Sequence, residues 1–193
     1  MAQLKRDPIG IRWHGRGGQG AVTASKILAE AGKFEDKFFL GLPDYGAERA
    51  GAAMRSFTTV STKPIRALCE IAEPDAVVVL DSTLLDEVNV VAGLKEDGVL
   101  VINTTESPAN IRSKLGYKGK IYTVDATSVS IENLGRNIPN IPMLGALARA
   151  VEVVTKGNLV KMIRESLGGK FKEAVVEGNV KAFEKAYETV QAG

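Results

Sequence analysis

The sequence predicts an α/β fold: a single three-layer α/β/α domain with a parallel or mixed sheet and a glycine-rich turn after the first strand. Three observations lead there. Short, continuous apolar runs such as Ala76-Val77-Val78-Val79-Leu80 have the length and character of strands buried on both faces. Helix-sized segments alternate with them, which argues for helices on both sides of the sheet. The 193 residues, 45% hydrophobic and 25% charged, are enough for one full core, and no linker, repeat or low-complexity run divides them. The whole chain, 1–193, is therefore expected to be one domain.

The elements follow in order. Residues 9–14 (Ile-Gly-Ile-Arg-Trp-His) read as a first strand, and glycines from Gly15 to Gly20 follow at once. Residues 21–31 are helix-like, with Val22, Ile27 and Leu28 on the apolar face and Gly32 as the expected C-cap. Residues 38–42 form a second apolar strand, and 43–51 a loop rich in glycine and charge. Residues 53–61 look like a strand whose polar content suggests one less covered side. Residues 76–80 are the strongest strand signal, and a helix is expected over 84–91. Further strands are expected at 98–103 and 120–124. An uncharged, proline-bearing loop over 137–145 should lead into three closing helices, at 144–154, 159–166 and 171–190.

Composition excludes several functions. Formal net charge is only +2, which is not the footprint of a dedicated nucleic-acid binder. One cysteine, Cys69, rules out a disulfide framework and any iron–sulfur cluster or cysteine-rich zinc site held by this chain alone. One histidine, His14, rules out a multi-histidine metal centre. Met1 to Pro8 lacks the apolar stretch of a signal peptide, and no run nears the roughly 20 residues of a membrane-spanning helix. The expectation is a cytoplasmic protein that binds neither membrane nor nucleic acid.

The sharpest motif is Gly15-Arg16-Gly17-Gly18-Gln19-Gly20, which contains Gly-x-Gly-x-x-Gly between a predicted strand and a predicted helix. Such a turn lets backbone N–H groups approach a phosphate, and the helix N-terminus adds partial positive charge. Arg16 could add a charge-assisted contact. A dinucleotide site also needs an acid at the end of the second strand to hold the ribose, and that strand ends Phe-Phe-Leu-Gly-Leu. The ribose clamp is missing. A free-standing nucleotide-binding enzyme and a purely structural glycine turn both stay open. His14 reads as a hydrogen-bonded structural residue, and Cys69 as a small core residue. Residues 42–54 could close over the glycine turn or form a partner surface, and 137–145 could be an interface or a buried crossover.

Three segments together resemble the gamma subunit of 2-oxoacid:ferredoxin oxidoreductases, the pyruvate synthase family. They are Gly15 through Ser25, the Tyr45-Gly46-x-Glu48-Arg49-x-Gly51 loop, and Asn140-x-Pro142-Met143-Leu144-Gly145. Ala50 departs from the family pattern, which has glycine after the arginine. The resemblance covers essentially the whole chain. It implies a subunit that is not catalytic alone, inside an enzyme that converts a 2-oxoacid and coenzyme A to an acyl-CoA and carbon dioxide with electrons passed to ferredoxin. Thiamine diphosphate, Mg and 4Fe–4S clusters would then sit on alpha, beta and delta-type partners. This chain would contribute Gly15, Arg16, Gly17, Gly18, Gln19 and Gly20 to a coenzyme A phosphate contact, and Tyr45, Glu48, Arg49, Asn140 and Met143 to subunit interfaces.

Overall fold

The computed structural model describes residues 6–44, 51–66 and 69–193. Seven strands form one mixed sheet: β1 (Ile9–Arg16), β2 (Phe38–Pro43), β3 (Ala53–Ser61), β4 (Ala76–Val79), β5 (Val99–Asn103), β6 (Lys120–Val124) and β7 (Gln191–Ala192). Their spatial order is β2-β3-β1-β4-β5-β6-β7. β1, β4, β5 and β6 run parallel, while β3 pairs antiparallel with both β1 and β2 and β7 closes antiparallel on β6. Every residue of β4 and β5 is buried, as parallel strands with both faces covered require.

Six helices accompany the sheet: α1 (Ala21–Ala31), α2 (Pro108–Leu115), α3 (Ala126–Leu134), α4 (Asn140–Ala150), α5 (Lys156–Leu167) and α6 (Glu173–Thr189). On one face Ile11, Trp13, Val78 and Val101 join a core with Leu28, Leu144, Ile163 and Phe183, so α1, α4, α5 and α6 pack there, with Val129 of α3. Gly145 lets α4 approach α6 closely, because a Cβ there would strike the Phe183 carbonyl. On the other face Val77, Val79, Leu100 and Ile102 meet Ile111 of α2 and Leu84 of a 3-10 turn over Ser82–Asp86. Helices lie on both faces, but unequally, and the thin side opens beside β1. No helix among the described residues is long and apolar enough to cross a membrane.

Several local expectations are corrected. The helix expected over 84–91 is only the Ser82–Asp86 turn, whose N-cap Asp81 accepts the Thr83 N–H at 3.0 Å. The loop expected over 137–145 is instead largely the first half of α4. Pro142 sits in its first turn, where a missing N–H costs nothing. β3 does have the one less covered side expected of it, where Ala53 is exposed and Arg55 and Thr59 are half-buried, while Ser56 and Thr58 on the other side are both fully buried. Thr58 Oγ1 accepts from Trp13 Nε1 at 3.1 Å and donates to the Ser25 carbonyl at 3.0 Å. Gly32 is the C-cap of α1 as expected, but in the right-handed conformation, and Asp36 (φ 53) takes the left-handed position after the following 3-10 turn. Cys69, expected in the core, is exposed.

Candidate functional site

β1 ends at Arg16, and the chain turns through Gly17, Gly18 and Gln19 to enter α1 after Gly20. Gly20 has φ 79, and a Cβ there would collide with the Asn140 side chain at the start of α4. Gln19 holds the turn in shape. Its Oε1 accepts the Arg16 N–H at 2.8 Å, and its Nε2 donates to Asp81 Oδ2 at 2.7 Å. From the other side, Gly17 N–H donates to the Ala52 carbonyl at 2.9 Å and Gly51 N–H to the Gly17 carbonyl at 3.1 Å. Three segments far apart in sequence thus meet around one turn. Tyr45, Glu48 and Arg49 lie outside the described residues.

Arg16 is heavily engaged. It donates to the two oxygens of Glu87 at 2.6 and 3.3 Å and to Thr83 Oγ1 at 2.6 Å, with Asp81 Oδ2 3.3 Å away. Two carboxylates therefore answer its single charge. The N-terminus of α1 is the opposite case. Its N-cap, Gly20, has no side chain to offer and no acid sits in its first turn, so nothing within that turn offsets the positive end of its dipole.

Beside the turn lies a cleft of about 770 Å³. Gly17, Gly18, Ala21 and Val22 form one wall, Asp44, Ala53 and Arg55 a second, and Leu84, Val88 and Ala92 a third. Arg12 and His14 also line it, on the face of β1 opposite Ile11 and Trp13. Arg12 is only 5% exposed, yet its hydrogen-bond acceptors are neutral. Nε donates to His14 Nε2 at 3.0 Å, and Nη2 to the carbonyls of Val90 and Ala92 at 3.1 and 2.6 Å. Burial and then Arg55 both lower its pKa, although a guanidinium keeps its charge. Holding a cation this way costs several kcal/mol unless something else compensates it.

His14 accepts from Arg12 at Nε2, so the network assigns its proton to Nδ1. Burial, followed by Arg12 and Arg55, pushes its pKa down to about 4. His14 is therefore neutral and structural at physiological pH, as the sequence suggested. Arg55 is answered by Asp44 at 2.7 Å and Glu70 at 3.3 Å. Asn140 is buried behind the turn and Met143 is completely buried, so neither offers surface to a partner in this conformation. No group of three or more His, Cys, Asp or Glu side chains among the described residues could hold a metal ion.

Arg12, Arg55, Asp81 and Glu87 were missed as site residues. A signal for the first was present: a charge and an imidazole two residues apart, alternating with Ile11 and Trp13, mark one face of a strand. The geometry also bears on dinucleotide binding. There the strand after the first helix returns parallel and adjacent to the first strand. Here β2 lies at the sheet edge, separated from β1 by antiparallel β3.

Residues 10–189 match the family model for pyruvate ferredoxin/flavodoxin oxidoreductase. The chain belongs to that family. The pyruvate synthase subunit PorC of Thermotoga maritima is 45% identical over 181 residues, 94% of each chain. The common gamma subunit of the pyruvate/ketoisovalerate oxidoreductases of Thermococcus kodakarensis is 47% identical over 180 residues, 93% of this chain and 95% of that one. The crystal structure of pyruvate oxidoreductase subunit PORC from Thermotoga maritima shares the fold with TM-score 0.86 at 41% identity, covering 97% and 99% of the two chains. A 2-oxoglutarate:ferredoxin oxidoreductase from Magnetococcus marinus, with 2-oxoglutarate, coenzyme A and succinyl-CoA bound, matches with TM-score 0.73 at 18% identity. That likeness covers 95% of this chain and 31% of the other, and is one of fold. Membership of the pyruvate ferredoxin/flavodoxin oxidoreductase family makes this chain a component of a 2-oxoacid:ferredoxin oxidoreductase. Gly51 and Asn140, from the other two segments that carry the resemblance, both meet the glycine turn.

Proposed function

We propose that the chain acts as one unit, the gamma-type subunit of a cytoplasmic pyruvate:ferredoxin oxidoreductase. Pyruvate and coenzyme A become acetyl-CoA and carbon dioxide, and two electrons pass to ferredoxin. The observation that carries this reading is the match over residues 10–189, joined to 45% identity with a pyruvate synthase subunit over 94% of both chains. Thiamine diphosphate, Mg and the 4Fe–4S clusters belong to alpha, beta and delta-type partners, since one cysteine and one histidine cannot ligate a cluster here. Pockets on those partners select the 2-oxoacid. The Gly15 to Gly20 turn and the uncapped start of α1 receive phosphate groups of coenzyme A. Arg16 braces that turn through Asp81 and Glu87. Tyr45, Glu48 and Arg49 dock the thiamine-bearing partners.

Anaerobic native purification through a tag on this chain tests the reading. Larger partners carrying thiamine diphosphate and iron should co-elute, and a lone monomer or homodimer free of both would overturn it. In the assembled enzyme, Arg16→Ala should raise KM for coenzyme A while leaving that for pyruvate alone. An unchanged value would show that the turn keeps its shape for coenzyme A without the Arg16 brace. Arg49→Ala should weaken assembly before it alters any KM.

A further inference from the structure

We propose that Arg12, aimed by His14, is the phosphate receptor of the cleft, and that it rather than Arg16 supplies the charge that meets the cosubstrate. This rests on the coenzyme A reading of the adjoining turn and assigns the contact to a residue outside the glycine motif. The two arginines differ in what already answers them. Arg16 spends its guanidinium on Glu87, Asp81 and Thr83. Arg12 lines the cleft and, among the described residues, is held by an imidazole nitrogen and two carbonyls, with no described acceptor for its Nη1.

The rest of the described lining leaves room for an anion, because its one carboxylate, Asp44, is already paired with Arg55. The α1 N-terminus opens on it at Ala21 and Val22 without a capping side chain, so backbone N–H groups and a buried guanidinium converge on one space. A cleft of about 770 Å³ is of the size that takes a nucleotide-sized ligand, far more than a three-carbon acid fills. His14 acts through Arg12: by accepting from Nε it fixes the plane of the guanidinium, and as a neutral ring it adds no charge. It is a positioning residue.

The test uses the assembled enzyme with two thiol acceptors, coenzyme A and pantetheine, which keeps the thiol arm but has no phosphate. Arg12→Gln should raise KM for coenzyme A about tenfold or more. KM for pantetheine and for pyruvate should stay within about twofold. Arg12→Lys, which keeps the charge and loses the fork, should fall between wild type and Arg12→Gln. Val22→Glu places a carboxylate in the same cleft, at a helix start where an acid is tolerated, and should also raise KM for coenzyme A. If Arg12→Gln fails to assemble, the other two variants carry the test.

Equal losses with coenzyme A and pantetheine would show that Arg12 only shapes the cleft, and overturn the proposal. A rise confined to pyruvate would assign the charge to a carboxylate, and overturn it too. A response to Val22→Glu with none to either Arg12 variant would leave the ligand in the cleft but remove Arg12 as its receptor. If no variant moves KM for coenzyme A, the reading of the turn falls, and the role of Arg12 with it.

Discussion

The two faces of β1 are built from alternating residues of one short segment and do opposite things. Ile11 and Trp13 point into the thick helical layer and are completely buried. Arg12 and His14, their immediate neighbours, point to the thin layer and line an open cleft. Both faces exclude most water, but only one is sealed by packing. On the sealed face the Trp13 indole N–H pairs locally with Thr58. On the open face a cation is buried with no carboxylate among the described residues hydrogen-bonded to it. Stability is concentrated on one side of the strand, and a desolvated charge ready for a ligand on the other.

The largest expected effect tests the sealed face. Trp13→Ala removes a fully buried indole and should destabilise the chain by about 3–5 kcal/mol, read as a shift in denaturation midpoint. A loss below about 2 kcal/mol would mean that this face collapses easily and is not the rigid half of the comparison.

The open face should show itself through pH. The folded pKa of His14 is about 4, against 6.5 for the free side chain. Between those values the unfolded chain binds a proton that the folded chain refuses, so stability falls as pH drops from about 6.5 to about 4. The loss is roughly 3 kcal/mol from this group, and His14→Gln should flatten that stretch of the profile. Urea titrations across the range would check it. A profile unchanged by the substitution would show that His14 accepts a proton in place, which Arg12 at 3.0 Å should forbid.

A smaller effect belongs to a polar link under α1. Thr58→Val is nearly isosteric but leaves the Trp13 N–H and the Ser25 carbonyl without their partner, a cost of about 2 kcal/mol. Should the variant be neutral in denaturant titrations, the sealed face is held by shape alone.

The same contrast decides what could be read from the sequence. β4 and β5 were legible because strands buried on both sides are written as near-continuous apolar runs. α1, α5 and α6 were legible because they are long and two-sided. α4 was shifted because ten of its eleven residues are buried, which leaves no polar face to mark its period and makes Pro142 look like a loop. α2 and α3 were missed because they bury little: Pro108 and Ile111 in one, Ala126, Val129 and Ser130 in the other. Their caps were nonetheless written, in Ser107-Pro108 and Gly116 for α2 and in Asp125 and Gly135 for α3. The glycine turn was legible as a motif. Its braces were not, since Asp81 reaches Gln19 only through the pairing of β1 with β4.

The smallest effect comes from a third place, the junction of β2 with α5, and it sharpens the pH comparison. Burial works to raise the pKa of Glu35, but Lys37, the Thr155 N–H and Asn158 outweigh it and bring it down to about 2. Its oxygens accept from Lys37 at 2.8 Å, Thr155 at 2.7 Å and Asn158 at 3.0 Å. A carboxyl depressed in the folded state contributes above its unfolded pKa, and the contribution fades as pH falls from about 4.5 toward 2. Glu35→Gln should cost about 1 kcal/mol at neutral pH, a modest value because the group is partly solvated. Its window lies almost wholly below that of His14. A titration of stability should therefore fall in two stages, the first removed by His14→Gln and the second by Glu35→Gln. If one substitution removed both stages, the open face of β1 and the β2–α5 junction would be a single coupled unit.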